Sequence, residues 1–278
     1  PRGRGAHDIA QRTGRNMLQR LGLIGYGNMG EAIVSGLKAR NPELELGVVE
    51  VSEERKAAAI EAHGARDFAE SLAHLVSFSD VVVLAIKPQD VAAMIERLAP
   101  ISSELRLVSI LAGTPLSRFT DALSSPNISR FMPSLAAKVG KAVVGVSFAE
   151  GADDDFREAA LEVARAIGTP QEIPEKLMSA VTGVSGSGLA FTFEFIHSLA
   201  LGATRAGLPY PQALAASLDV LEGATALIRE TGEHPISLAS RVASPAGTTI
   251  EGLTALEEGG FSAAVIDAVS RAANRATE

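Results

Sequence analysis

Two stretches in the later part of the chain bring small residues and hydroxyls together just ahead of helix-like segments: VSGSGLAF at 184–191 and SPAGTTIEGL at 244–253. Each reads as a turn that opens a helix. The first N–H groups of a helix have no intrahelical acceptor and carry a partial positive charge, so each stretch can receive an anion such as a carboxylate. Ser185 and Ser187 have an alternative role as ordinary helix caps, with the glycines allowing close helix packing. In the second stretch Thr248 stands three residues before Glu251, the T-x-x-E spacing of a capping box, which accounts for its side chain. Thr249 has no such explanation and is the better candidate to face a substrate.

A third stretch lies near the other end. LGLIGYGNMG places Gly25, Gly27 and Gly30 in G-x-G-x-x-G spacing between an apolar run and a helix-like segment opening at Asn28. In that setting the first glycine permits a tight turn, the second lets backbone N–H groups approach a pyrophosphate, and the third allows close helix–sheet packing. A second strand-like run, LGVVEV, follows at the expected interval, which turns a weak pattern into a dinucleotide site. Glu50 ends that run, where a carboxylate can accept hydrogen bonds from an adenosine ribose and would repel a 2′-phosphate. This favours NADH over NADPH, although Arg55 and Lys56 are close enough to offset it, and Glu50 can also be read as a solvated strand end. AIKPQDV at 85–91 ends another strand, and Lys87 there either faces the cofactor or is a solvated loop lysine.

These sites need two kinds of scaffold. From Met17 to about Ile173, short apolar runs (LGLIG, LGVVEV, DVVVLAI, LRLVSI, NISRFM, AVVGVSF) alternate with helix-like segments such as 31–40, 52–63 and 89–98. That alternation predicts a doubly wound α/β unit with a parallel sheet, and the unbroken run 81–86 predicts a central strand buried on both faces. After QEIPEK at 171–176 the chain becomes rich in Ala and Leu, with helices predicted over 189–206, 210–230 and 261–276. The first of these is apolar nearly all round, so it should be buried on most sides, with another subunit as one candidate cover. The expected organisation is therefore a tag or disordered extension over 1–16, a Rossmann-type dinucleotide-binding domain over 17–174, and an all-helical substrate and dimerisation domain over 175–278.

Composition narrows the partners. The chain has 278 residues, 46% of them apolar and 21% charged, which suits a sizeable folded core. A net charge of −8 without a basic stripe argues against nucleic acid and for small-molecule partners. The absence of cysteine excludes a disulfide framework and a thiolate metal site and agrees with a cytoplasmic setting. The five histidines show no metal-ligand spacing, so no metal is expected, and no apolar run approaches the roughly 18 to 20 residues of a membrane span.

Taken together, GYGNMGEAI, AIKPQ, FMPSLAAKVGKA, VSGSGLAF, AGLP, GEHP, SPAGTTIEGL and EEGGF, in this order from residue 21 to about 276, make the chain resemble the pyrroline-5-carboxylate reductase family. The resemblance implies NAD(P)H-dependent reduction of 1-pyrroline-5-carboxylate to proline. It also implies a homodimer of interleaved helices with an active site shared between subunits, and in many members a decamer of five dimers. Carried onto this sequence, it puts Gly25, Tyr26, Gly27, Asn28 and Met29 at the pyrophosphate and Ala85 and Lys87 near the nicotinamide. Ser134 stands where the family commonly has an asparagine near the cofactor. Ser187, Gly188, Gly247 and Thr248 would receive the substrate carboxylate, and Thr249 would place its hydroxyl beside the ring nitrogen. The chain departs from the family's usual MPNTPA, SGSGPAY and SPGG with MPSLAA, SGSGLAF and SPAG, and Ala246 replaces a glycine, the residue that best tolerates φ > 0.

The chemistry implied needs little acid. A cyclic imine can bind already protonated, and from Leu177 to Glu278 there is no lysine and only His197 and His234. A β-hydroxyacid dehydrogenase-like enzyme would instead need a proton donor for the developing alcohol. Another imine reductase, or a non-catalytic nucleotide-sensing protein of the same fold, remains open at this level.

Overall fold

A computed structural model describes residues 18–276, so the extension expected over 1–16 lies outside the described residues. The described residues divide into two compact units, residues 18–186 with Ala276 and residues 187–275. The division falls later than the expected 174/175 boundary because the segment after β8 packs back on the sheet. A Cβ on Gly145 would meet Met178 Sδ at 2.9 Å and Val181 Cγ1 at 3.1 Å.

The first unit is an eight-stranded sheet with helices on both faces. In chain order it contains β1 (Arg20–Ile24), α1 (Asn28–Arg40), β2 (Glu45–Val49), α2 (Glu53–His63), β3 (Arg66–Asp67), α3 (Leu72–Phe78), β4 (Val81–Leu84) and α4 (Val91–Leu98). It continues with β5 (Leu107–Ser109), α5 (Ser117–Thr120), β6 (Ile128–Met132), β7 (Ala142–Phe148), α6 (Asp154–Ile167), β8 (Gly168–Glu172) and α7 (Met178–Val181). The strand order is β3-β2-β1-β4-β5-β6-β7-β8. The expected parallel sheet carries one antiparallel pair and is therefore mixed. β6 and β7 pair antiparallel, since the short connection between them holds only a 3₁₀ turn over Leu135–Val139 and cannot make a crossover.

Strand alternation builds two cores from one sheet. Leu21, Leu23, Val81 and Val83 pack on the α1 and α6 side, whereas Ile24, Val82 and Leu84 pack on the side of α3 and α4. All four residues of β4 are buried, as its unbroken apolar sequence predicts. The chain leaves β1 in one direction for β2 and β3 and returns to β4 on the other side. The C-terminal ends of β1 and β4, paired at Ile24 and Leu84, are therefore the topological switch point where such sheets bind ligands.

The second unit is helical: α8 (Gly188–Arg205), α9 (Tyr210–Thr231), α10 (Pro235–Val242), α11 (Thr248–Glu258) and α12 (Phe261–Arg275). It has almost no interior of its own. Only Ala200 is buried on α8, only Ala213 and Ser217 on α9, and none on α10, α11 or α12. The expected burial of α8 is thus not met within one chain, and Phe193, Leu218, Leu256 and Ile266 are left open to solvent. An Ala/Leu-rich bundle with its apolar faces outward is completed by association. Among the described residues no helix is long and apolar enough to cross a membrane.

Candidate active site

The glycine-rich loop occupies the switch point, and its backbone explains its residues. Gly25 follows β1 with φ +93°, and a Cβ there would come within 2.7 Å of the Ala85 carbonyl oxygen. Its N–H donates to Val49 O at 2.9 Å, tying the loop to β2. A Cβ on Gly30 would reach 2.6 Å from Gly25 O, so a larger residue would push α1 off the loop. Gly27 caps α1 without a side chain, which leaves the first N–H groups of the helix, from Asn28 onward, without a capping partner. This cradle fits a pyrophosphate, and the residues present fit a dinucleotide.

Around the loop, Tyr26 is buried with its ring edge-on to His63 at 6.1 Å between centroids. Burial, and secondarily the Glu31 carboxylate, push the Tyr26 phenol above its ordinary pKa, so it stays protonated. Burial first, then Lys38, hold His63 below the usual histidine range, with Glu31 opposing. Nothing in the spacing of residues 26 and 63 signals this contact. Met29 packs partly buried against the core, and Asn28 is exposed.

Glu50 is not the solvated strand end that was one reading of its position. It is buried, its Oε2 accepting the Tyr26 N–H at 2.6 Å and its Oε1 the Ser52 N–H at 2.8 Å. On the other side of the switch point Ala85 is partly buried, its N–H donating to Ile24 O at 2.8 Å. Lys87 is exposed at the start of the short turn Pro88–Asp90. Ser134 is buried just past β6, at the same carboxyl edge of the parallel strands, without a side-chain cap bond.

The two hydroxyl-rich stretches depart from expectation in different ways. VSGSG is not a turn: Thr182–Ser187 forms a π-helical segment running from α7 into α8, so Ser187 and Gly188 lie within continuous helix rather than at a free N-terminus. Small residues that fail to fill the i, i+4 surface allow the wider ring, and such segments recur at functional positions. Within it Ser185 Oγ is buried without a hydrogen-bond partner.

SPAGTTIEGL does open a helix, but Gly247, not Thr248, is the N-cap, and no side chain caps α11. The capping box expected from T-x-x-E does not form, because its threonine sits one residue too late. Six other helical threonines, at 182, 192, 204, 225, 231 and 254, donate to the carbonyl four residues back. Thr248 and Thr249 have no preceding helical turn to accept them. Ala246 just before them has φ 58°, the only positive-φ residue other than glycine among the described residues.

The two histidines of the helical unit have structural partners. His197 Nδ1 lies 3.1 Å from Tyr210 Oη, and His234 Nδ1 accepts the Ile236 N–H at 3.3 Å.

A doubly wound sheet with a glycine-rich cradle at its switch point, followed by a helical unit built to associate, defines an NAD(P)H-dependent oxidoreductase of the Rossmann class. Residues 175–278 match the family model for pyrroline-5-carboxylate reductase dimerisation, and residues 20–113 match that for NADP oxidoreductase, coenzyme F420-dependent. The chain is 41% identical over 265 residues to a pyrroline-5-carboxylate reductase of Methanosarcina acetivorans, covering 94% of this chain and 97% of the relative. It superposes on a pyrroline-5-carboxylate reductase from Coxiella burnetii with a TM-score of 0.86 at 28% identity, covering 94% and 98% of the two chains. The Plasmodium falciparum pyrroline carboxylate reductase with NADP bound gives 0.80 at 25% identity, covering 93% and 97%. This chain belongs to the pyrroline-5-carboxylate reductase family, and its helical unit is the dimerisation domain.

Proposed function

We propose that this chain reduces the C=N bond of 1-pyrroline-5-carboxylate to give proline, as its relatives are named for doing. The observation that carries the reading is the uncapped N-terminus of α11. Its free N–H groups, with Gly247 and Thr248 at the start, suit the substrate carboxylate, and Thr249 lies one residue further with an uncommitted hydroxyl. Ser187, at the end of the π-helical segment, and Gly188, the first residue of α8, line the same substrate.

Bound dinucleotide supplies the hydride, which the C=N carbon of the protonated ring accepts while the π pair moves onto nitrogen, leaving a neutral secondary amine. The protein therefore need not deliver a proton to a developing alkoxide. That agrees with a helical unit whose two histidines are held by Tyr210 and by the Ile236 N–H. A hydroxyl from Thr249 at the ring nitrogen orients the ring, and the α11 N-terminus fixes its carboxylate.

For the cofactor, Gly25, Tyr26, Gly27, Asn28 and Met29 hold the pyrophosphate, Ala85 and Lys87 border the nicotinamide end, Ser134 lies near the cofactor, and Glu50 accepts the ribose diol and favours NADH. The dimers assemble further into decamers in this reading. Turnover of pyrroline-5-carboxylate with either dinucleotide, followed at the nicotinamide absorbance, is the test. Nucleotide binding without turnover would return the chain to a sensing role.

A further inference from the structure

At the edge of the sheet opposite the glycine-rich loop, the C-terminal end of α1 and the face of α6 carrying Glu162 and Arg165 enclose a cavity of about 180 Å³, just ahead of β1. The two helices pack tightly beside it, where a Cβ on Gly36 would come within 2.3 Å of Ala166 O. Hydrogen bonds hold the walls in place. Asn41, the C-cap of α1, donates its Nδ2 hydrogen to Leu18 O at 3.3 Å, and the Leu18 N–H donates to Glu162 Oε2 at 3.1 Å.

The lining sorts by polarity. Leu18, Leu37 and Leu44 are buried and make an apolar floor, whereas Arg40 is exposed and Glu162 and Arg165 are half-buried at the rim. Arg165 gives one of its five N–H donors to Glu158 at 2.6 Å, which leaves the others for a ligand. Arg40 enters none of the ion pairs among the described residues. The last carbonyls of α1 add partial negative charge on the side of Glu162. An anion alone would meet Glu162 and these carbonyls, and a cation alone would meet Arg40 and Arg165. A zwitterion satisfies both signs at once, its carboxylate matching the guanidinium donors. The volume lies well below the roughly 300 to 1,000 Å³ of drug-sized sites, so the apolar part of the ligand is a short aliphatic chain.

We propose that this cavity binds a small aliphatic α-amino acid, with its carboxylate on Arg40 and Arg165, its ammonium on Glu162 and its side chain on Leu18, Leu37 and Leu44. The site lies at the far end of α1 from the pyrophosphate cradle and does not depend on the reductase reading.

The experiment titrates L-valine into the full-length protein by calorimetry, alongside 3-methylbutanoate and 2-methylpropan-1-amine, each of which lacks one of its two charges. Valine is chosen because proline would also occupy the substrate site of the reductase reading, so a failure with valine tells against the cavity alone. Saturable binding in the millimolar range is expected of so few heavy atoms. Arg40→Ala and Glu162→Gln should each weaken it about ten-fold, the scale of one lost charge-assisted contact. Arg40 is exposed, so its variant keeps the fold, which an unchanged unfolding midpoint checks. Each half-ligand should bind at least about ten-fold more weakly than valine. No saturable binding of valine would overturn the proposal, as would binding undiminished by Arg40→Ala or Glu162→Gln, which would put the ligand elsewhere. Equal affinity for valine and either half-ligand would also overturn it, by showing a site that reads a single charge.

Discussion

The Glu50 carboxylate closes onto the glycine-rich loop, with Oε2 2.6 Å from the Tyr26 backbone nitrogen and Oε1 2.8 Å from that of Ser52. One side chain therefore ties the glycine-rich loop to the start of α2, and in the proposed reading the same carboxylate meets the ribose. Glu50→Gln replaces one acceptor with an NH₂ group, leaving a backbone N–H facing a donor. The expected cost is ~1 to 3 kcal/mol in denaturant unfolding. The NADPH-to-NADH affinity ratio should rise at the same time, and titrations in which the ratio stays put would show that the selector lies elsewhere.

Thr249 is tested by removing its hydroxyl while keeping its shape. Thr249→Val should lower kcat/KM ten- to a hundred-fold, matching the ~1 to 3 kcal/mol of a hydrogen bond to a charged group. Thr248→Val, one residue earlier, should do less, since the backbone of that residue carries its contact. Steady-state kinetics identical to wild type for the Thr249 variant would reject its role.

Ala246 occupies the left-handed region with φ 58°, where a Cβ costs roughly 1 to 2 kcal/mol and glycine little. Ala246→Gly should raise stability by about 1 kcal/mol, less the greater freedom of glycine in the unfolded chain. Unfolding is compared at one protein concentration, because dimerisation contributes to the measured value. A lower midpoint in the variant would mean that the strain is absent.

His63 gives a pH dependence whose sign follows from its environment. Its pKa is lowered in the fold, so below the ordinary value of about 6.5 the unfolded chain takes up a proton that the folded chain resists. Stability should fall as pH drops from about 6.5 through the lower folded pKa, and this contribution should be flat above 6.5. In His63→Gln the slope over that window should shrink. Parallel pH profiles for variant and wild type would exclude the contribution.

The helical unit makes a prediction about assembly. α12 has no buried residue in the single chain, and Ile266 is among its exposed apolar side chains. Ile266→Glu should weaken dimerisation at least about ten-fold in sedimentation, the scale of one apolar side chain kept from burial. An unchanged dimer would place Ile266 outside the interface.

The doubly wound unit was legible in the residues. The all-valine and leucine run of β4 and the strand–glycine–helix order around Gly25, Gly27 and Gly30 depend on local pattern, and the structure reproduces both. The helices over 189–206, 210–230 and 261–276 also appear, within a residue or so at each end, because their composition leaves no competing strand. Less legible were the edges of the sheet. β3 is two residues long and β8, GTPQE, has little apolar character, so each exists only through pairing with a neighbour.

At the site, residue identity marked Glu50, Thr249 and Ala246, since a strand-end carboxylate, an unexplained hydroxyl and a non-glycine in a glycine position are visible in one dimension. Folding determined what those groups face. The burial of Glu50 against Tyr26 N–H, the His63–Tyr26 contact and the approach of Arg55 to Gly27 join residues far apart in sequence or on different elements. The π-helical course of Thr182–Ser187 and the shift of the α11 cap to Gly247 depend on backbone hydrogen bonds that side-chain types do not uniquely specify. Local periodicity fixes the central strands and the long helices; pairing and packing between distant segments add the edge strands and set which groups meet.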